Sequence, residues 1–263
     1  REVIPCSYEN SWHFREGMAA VMRNGRWGFV DSSGEEVIPC IYQEARLFSC
    51  GLACVEIDGK YGFIDKAGKV VVPFAYDDAQ HFSDGVAWVM KDDKWGLIDN
   101  SGDFVLPRVY DDVFMSINGV TQVYVDGKCG FVDNKGTEIV PCIYDDTEWF
   151  SEGLAAVGSG SKWGYVDRSG RLVIPCEYDE VGIFSAGVAD VELDGKWGVI
   201  DSSGKSVVDT EYDKVICFKQ VGIIAADIVQ SDGSVVRKYF DRDGVFLMQE
   251  LLDNAGTSAE DTF

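Results

Sequence analysis

Histidine is almost missing from this chain: 263 residues hold two, His13 and His81. Cationic side chains are in short supply too, with 23 Lys and Arg against 45 Asp and Glu and a formal net charge of −22. A field of that sign repels nucleic-acid phosphates and anionic membranes, which removes both as expected partners. It serves solubility, and the remaining expectation is a protein partner, with a basic surface as one form of it. No run of about 18 apolar residues occurs, so no membrane insertion is expected. No signal peptide is visible, and the chain opens on "REVIPC" without a Met, as a trimmed chain would. Cytoplasmic and secreted locations are not distinguished.

The usual signatures of chemistry are absent as well. There is no Gly-Lys-Ser/Thr phosphate loop and no Gly-x-Ser-x-Gly elbow. Eight cysteines are present without a Cys-x-x-Cys pair. Cys50 and Cys54 lie four apart, on what reads as one strand face, but without the clustered partners that zinc prefers. Cys6, Cys40, Cys142 and Cys176 recur at one register. Buried thiols are the expectation, and a Cys6–Cys40 or Cys142–Cys176 bridge is the minor alternative. His13 and His81 also share a register, each just before a Phe, as a tolerated choice at a packing site would. Six prolines contrast with 29 glycines, and 13% of residues are aromatic. That mix suits strands and turns, and 46% hydrophobic residues suffice for a full core.

What the chain does have is a repeat. Pro5, Pro39, Pro73, Pro107, Pro141 and Pro175 are each 34 residues apart, and a tyrosine series from Tyr8 to Tyr212 keeps the same step. A period of 34 also suits paired helices, but local chemistry rules them out. In "GLACVEIDGKYGFID" two apolar runs flank Asp58-Gly59, a type I′ hairpin signal shared by Asn24-Gly25, Asp126-Gly127 and Asp194-Gly195. A second turn is expected at "DKAG", "DNSG" or "DSSG". In the second unit the strands are expected from about Gly51, over 60–65 and over 70–73, where Pro73 ends the third strand or places it at an edge. "YDDAQHF" then links to the next unit as a short fourth strand.

Leu52, Ala53 and Val55 put apolar side chains on both faces of the first strand, so small sheets are expected to stack face to face. The fold class is therefore all-β, a repeat of antiparallel three- to four-stranded units. A seven-bladed β-propeller is favoured, because the chain begins and ends partway through a unit and its N-terminal segment could complete the final blade. An open β-solenoid or twisted β-hairpin superhelix is the alternative.

The phrase "DGKWGVIDSSGK", with Lys-Trp-Gly at 94–96, 162–164 and 196–198 and "FSEGLAAV" at 150–157, resembles the bacterial WG (KWG) repeat. The resemblance spans about Val3 to Phe246 in about seven units, near 3–36, 37–70, 71–104, 105–138, 139–172, 173–206 and 207–248. These are expected to form a single β domain, 1–248, with a flexible tail over 249–263. The resemblance implies a bacterial β-rich repeat protein and brings no activity or catalytic residue with it. Unit four departs most: Cys129 stands for the Trp and "MSINGVTQV" for "FSEGLAAV".

Function is expected where the phrase fails, since a repeat scaffold binds through the positions that vary. Ile117, Tyr124 and Cys129 are the candidate binding residues. The paired Asp of "YDDA", "YDDV" and "YDDT" and the "DRDG" at 241–244 are read as turn chemistry. No catalytic residue, cofactor or metal ligand is assigned, and the chain is expected to be a non-enzymatic binding or scaffolding domain for protein or other macromolecules. A carboxylate-based, carbohydrate-active hydrolase and a purely structural or cell-surface adhesion module are the alternatives.

Overall fold

The computed structural model describes residues 8–114 and 116–252. Pro5, Cys6 and the tail beyond Leu252 lie outside them. By its internal contacts the chain divides into two compact units, 1–138 and 139–263.

In the first unit, sheet one is β1 (Asn10–Ser11), β2 (Met18–Arg23), β3 (Arg26–Asp31) and β4 (Glu36–Tyr42). Sheet two is β5 (Leu52–Ile57), β6 (Lys60–Asp65) and β7 (Val70–Tyr76). Sheet three is β8 (Asp78–Ala79), β9 (Val86–Lys91), β10 (Lys94–Asp99) and β11 (Phe104–Tyr110). Sheet four contains β12 (Asp112–Val113), β13 (Val120–Val125) and β14 (Lys128–Asp133), and β15 (Glu138–Tyr144) runs across the division between the units. In the second unit, sheet five is β16 (Asp146–Thr147), β17 (Leu154–Ser159), β18 (Lys162–Asp167) and β19 (Leu172–Tyr178). Sheet six is β20 (Glu180–Val181), β21 (Val188–Leu193), β22 (Lys196–Asp201) and β23 (Ser206–Tyr212). Sheet seven is β24 (Lys214–Phe218), β25 (Ile223–Val229), β26 (Val235–Asp241) and β27 (Phe246–Leu252). The fold is all-β: seven antiparallel sheets of three or four strands, with no helix among the described residues.

The turn chemistry explains this division. Asn24, Asp58, Asp126 and Asp194, each followed by Gly, hold positive φ at both central positions, as a type I′ turn requires. A second hairpin turn precedes the first long strand, with Glu16-Gly17, Cys50-Gly51, Asp84-Gly85, Glu152-Gly153 and Ala186-Gly187 also at positive φ. Its signal, a glycine at constant register inside "FSEG", is visible in the sequence. Cys50 sits in this turn and not on the strand with Cys54, contrary to the shared face expected.

Three further expectations are refined. Pro73 does not end β7, which runs to Tyr76; it sits on the sheet's edge strand, where the register to β6 shifts between Tyr61 and Phe63. The short strand after the repeat's Tyr-Asp joins the sheet that follows it: β8 pairs with β9. Finally, β27 is the last strand of sheet seven, paired with β26, and residues 1–7, expected to complete that sheet, lie outside the described residues. Residues 249–252, expected in the tail, belong to that strand.

Both faces of the first long strands are buried, as Leu52, Ala53, Cys54 and Val55 show. One face of sheet one (Ala20, Phe29, Ile38) packs on one face of sheet two (Ala53, Val55, Ile64). The other face of sheet two (Leu52, Cys54, Phe63, Val72) packs on sheet three (Ala87, Val89, Ile98). Sheets five and six, and six and seven, meet the same way within the second unit. Three of these interfaces carry an edge-to-face pair between a second-strand aromatic and the Phe that leads into the next sheet. These are Phe29–Phe48 at 4.9 Å, Phe63–Phe82 at 4.8 Å and Tyr165–Phe184 at 4.8 Å. Such pairs add about 0.5–1.5 kcal/mol beyond their buried area.

Candidate functional site

The Trp-Gly phrase is fully occupied by structure. Its aromatic faces the repeat's tyrosine across the sheet, as Trp27 with Tyr42, Tyr61 with Tyr76 and Trp197 with Tyr212. Its glycine admits the bulged third strand of its own sheet. A Cβ on Gly62 would lie 2.8 Å from the Val72 carbonyl oxygen, and one on Gly198 would lie 2.6 Å from that of Val208. The close approach expected at Gly62 from a neighbouring sheet is thus made by the adjacent strand. The lysine, exposed, also has a partner. Lys60 donates to Asp77, whose other oxygen accepts from the Asp92 N–H in the next sheet's hairpin turn. Lys94–Asp111–Asp126, Lys162–Asp179–Asp194 and Lys196–Asp213–Val229 repeat this link between neighbouring sheets. The lysine partners and the turn N–H groups hold these carboxyls below the usual range. The carboxylates that looked surplus in the sequence are therefore spent on joining repeats. Asp241 in "DRDG" likewise accepts from the Asp243 and Val245 N–H groups in its own turn.

The three candidate residues do not converge. Tyr124 and Cys129 face each other in one cross-strand pair, while Ile117 lies at the opposite end of β13, bridged to Val120 and exposed. Tyr124 and Cys129 invert the arrangement in sheets one and three, where Trp27 faces Met22 and Trp95 faces Met90. In sheet four the large ring stands on the other strand, 5.6 Å from Phe114, and the small buried residue takes the Trp place.

No disulfide joins the described cysteines, so the Cys142–Cys176 bridge is not formed, and Cys6 lies outside the described residues. Cys40 and Cys176 donate to the Val21 and Val157 carbonyls. Burial pushes the Cys54 thiol up to about 12 and Cys217 up to about 11, which makes both poor nucleophiles.

What the sequence left unremarked is Ser116. It occupies the register of Phe48, Phe82 and Phe184, each of which fills an interface. With serine there, a cavity of about 250 Å³ opens between sheets three and four, lined by Gln80, His81, Ser83, Trp88, Ser116 and Asn134. Trp88 stands where Ala20 and Cys54 stand in sheets one and two. Its indole N–H donates to Thr121 Oγ1 at 3.3 Å, and its ring meets Tyr110 edge-on at 5.6 Å. A second cavity, of about 290 Å³, shares His81 and is lined by Trp12, His13, Arg15, Arg46 and Leu47. Both histidines of the chain thus meet at one cavity, exposed, and not at a packing site. Partial burial, then Arg15 and Arg46, lower the His81 imidazole from its ordinary value.

A different irregular surface lies in the second unit. Phe246, Leu247, Met248 and Leu251 of β27 are each half exposed or more, with Val221, Val229 and Val245 exposed in the same sheet. The other third strands carry a proline at mid-length, or Asp209 in β23. β27 has neither.

Among solved structures, the chain is similar to a eukaryotic initiation factor at 12% identity, covering 93% of this chain and 87% of that one with a TM-score of 0.39. It is also similar to the WD40 domain of Toxoplasma gondii coronin at 11% identity, covering 78% and 68% with a TM-score of 0.32. Likeness at these scores carries nothing over to this chain about ring closure or function. No curated protein matches the chain. The model of the WG containing repeat matches seven consecutive stretches, at residues 1–27, 27–61, 61–95, 95–129, 130–163, 163–197 and 197–226. Their phase follows the Trp-Gly phrase just derived as the packing key, and the chain belongs to the WG containing repeat family.

Proposed function

We propose that the chain is a non-enzymatic binding domain whose partner is a protein, taken up as an extended segment along the open edge of sheet seven. The observation that carries this reading is β27, a seven-residue strand with one neighbour among the described residues and exposed apolar side chains on both faces. Natural edge strands are normally blunted by proline, bulges or charge; β27 has no proline, its register shift lies at the Phe246 end and its one charge, Glu250, accepts from Tyr239, so the remaining apolar edge is a template for another strand. Charge agrees with this choice of edge. Over residues 214–252 five basic side chains (Lys214, Lys219, Arg237, Lys238, Arg242) balance five acidic ones (Asp227, Asp232, Asp241, Asp243, Glu250), in a chain of net charge −22. The edge therefore selects an apolar strand in place of the basic surface suggested by the whole chain.

The test is site-specific photo-crosslinking in cells, with the photoreactive residue at Leu247 or Leu251 and a control at the exposed Val37 of β4. A discrete protein adduct is expected at the β27 positions and is expected to disappear with Met248→Asp. A second copy of the chain as the adduct would identify the partner as self. No adduct, or the same adducts from Val37, would contradict the reading.

A further inference from the structure

We infer that the two cavities meeting at His81 form a binding site for a small organic anion, a carboxylate or phosphate carried on an aromatic or apolar group. The site shares no residue with β27, and its lining lies wholly in the first unit.

Charge is the first ground. In a chain of net charge −22, Arg15, Arg46, His13 and His81 line one cavity, and among the described residues no Asp or Glu side chain lines either cavity. Arg46 touches Asp78 at 3.3 Å through Nη2, and Arg15 donates to Ser49 Oγ at 3.2 Å. Arg15 is thus held by a neutral partner and makes no ion pair with a described residue. Partial burial lowers the His81 imidazole most, and Arg15 and Arg46 lower it further.

Shape is the second ground. The adjoining cavity exists because the repeat's phenylalanine is a serine at 116, and the facing second-strand residue is Leu97 where sheets one and two have Phe29 and Phe63. An aromatic ring is what the regular interfaces place there. The lining combines the Trp88 ring, Val86 and Ala87 with the polar groups of Gln80, Ser83, Ser116 and Asn134. Together the two cavities fall in the size range of small-molecule sites, which are largely apolar with a few fixed polar groups. The apolar end of the ligand is assigned to the cavity beside Trp88 and Ser116, and its anionic end to Arg15, Arg46 and His81. Trp12 is half exposed and stacked on Trp27 at 6.3 Å, and it walls the cationic side.

The experiment titrates 3-phenylpropionate, phenyl phosphate, inorganic phosphate and benzyl alcohol into the full chain, followed by calorimetry and tryptophan fluorescence. Saturable binding of at least one aromatic anion is expected, tighter than that of inorganic phosphate or benzyl alcohol. Which aromatic anion binds tighter tells a carboxylate ligand from a phosphate one. Ser116→Phe fills the cavity with the residue other repeats carry there and is expected to weaken binding by about tenfold or more. Arg15→Gln is expected to weaken it by about fivefold or more while leaving benzyl alcohol unaffected. If Ser116→Phe does not fold, Arg15→Gln carries the test alone. Absence of binding by both aromatic anions, or unchanged binding in the folded variants, would overturn the proposal.

Discussion

The interface between sheets two and three and the one between sheets three and four are built from the same repeat and end differently. In the first, Phe63 and Phe82 meet edge to face and the space is full. In the second, Leu97 and Ser116 occupy those registers, Trp88 replaces a small residue, and a cavity of about 250 Å³ remains. The same backbone grammar holds on both sides: β10 pairs with β9 and β13 with β14 without a register shift. A repeat scaffold can thus give up one interface's packing without losing its register, because turns and staples set the register while aromatic pairs fill the space.

That contrast can be broken at several points. The largest effect is expected at the filled interface. Phe82→Ser removes a ring that is 1% exposed and should cost about 3–5 kcal/mol in urea unfolding.

Next is the glycine of the phrase, which holds both interfaces to one backbone geometry. A Cβ on Gly164 would meet the Pro175 carbonyl carbon at 2.6 Å and the Cys176 nitrogen at 2.7 Å, so Gly164→Ala should cost about 3 kcal/mol. Six residues earlier, a Cβ on Gly158 would meet the Trp163 ring at an ordinary 3.5 Å. Gly158→Ala should change stability by less than about 0.5 kcal/mol. Equal losses in the two variants would show that the phrase's glycine is not set by the bulge.

A smaller loss is expected at the open interface. Trp88→Phe gives up the hydrogen bond to Thr121 and should cost about 1 kcal/mol, leaving the cavity larger.

The weakest effect is shared by all the repeats. Asp77, Asp111, Asp179 and Asp213 have carboxyls lowered by their lysine partners, and Ser169 lowers Asp167 to about 2. Groups with depressed values stabilise the fold above their unfolded value of about 3.9. That contribution is lost as pH falls, for Asp167 between about 4 and about 2. A pH series of melting temperatures should fall over that window, and added salt should shrink the fall. A melting temperature flat from neutral pH through that window would rule out the staples as contributors.

Much of the scaffold was legible in the sequence, since it depends on local chemistry. Asp58-Gly59 dictates a type I′ turn whatever surrounds it, and the unbroken apolar run "LACV" shows two buried faces. The rest depends on neighbours 15 to 34 residues away. Lys60 looked solvated because its partner, Asp77, lies across a bulged strand. Gly62 looked like a contact with another sheet because the bulge at Pro73 is not a sequence feature. In unit four the sequence pointed to the right repeat through Cys129 and Tyr124, the most visible departures, yet these exchange sizes across one strand pair. The cavity comes from Ser116, whose replacement of Phe matters through the interface with sheet three. Sheet seven was legible as irregular, but the exposure of β27 follows from its place at the sheet's edge.

The central claim is that unit four is a repeat whose packing residue was removed, so that the space is a vacancy in an otherwise competent interface. Thermal unfolding of Ser116→Phe against the wild-type chain tests it most directly. The account expects a melting temperature equal to or above wild type, because Phe returns to the register it holds at 48, 82 and 184. A fall as large as that of Phe82→Ser would contradict it, showing that the site is shaped around serine.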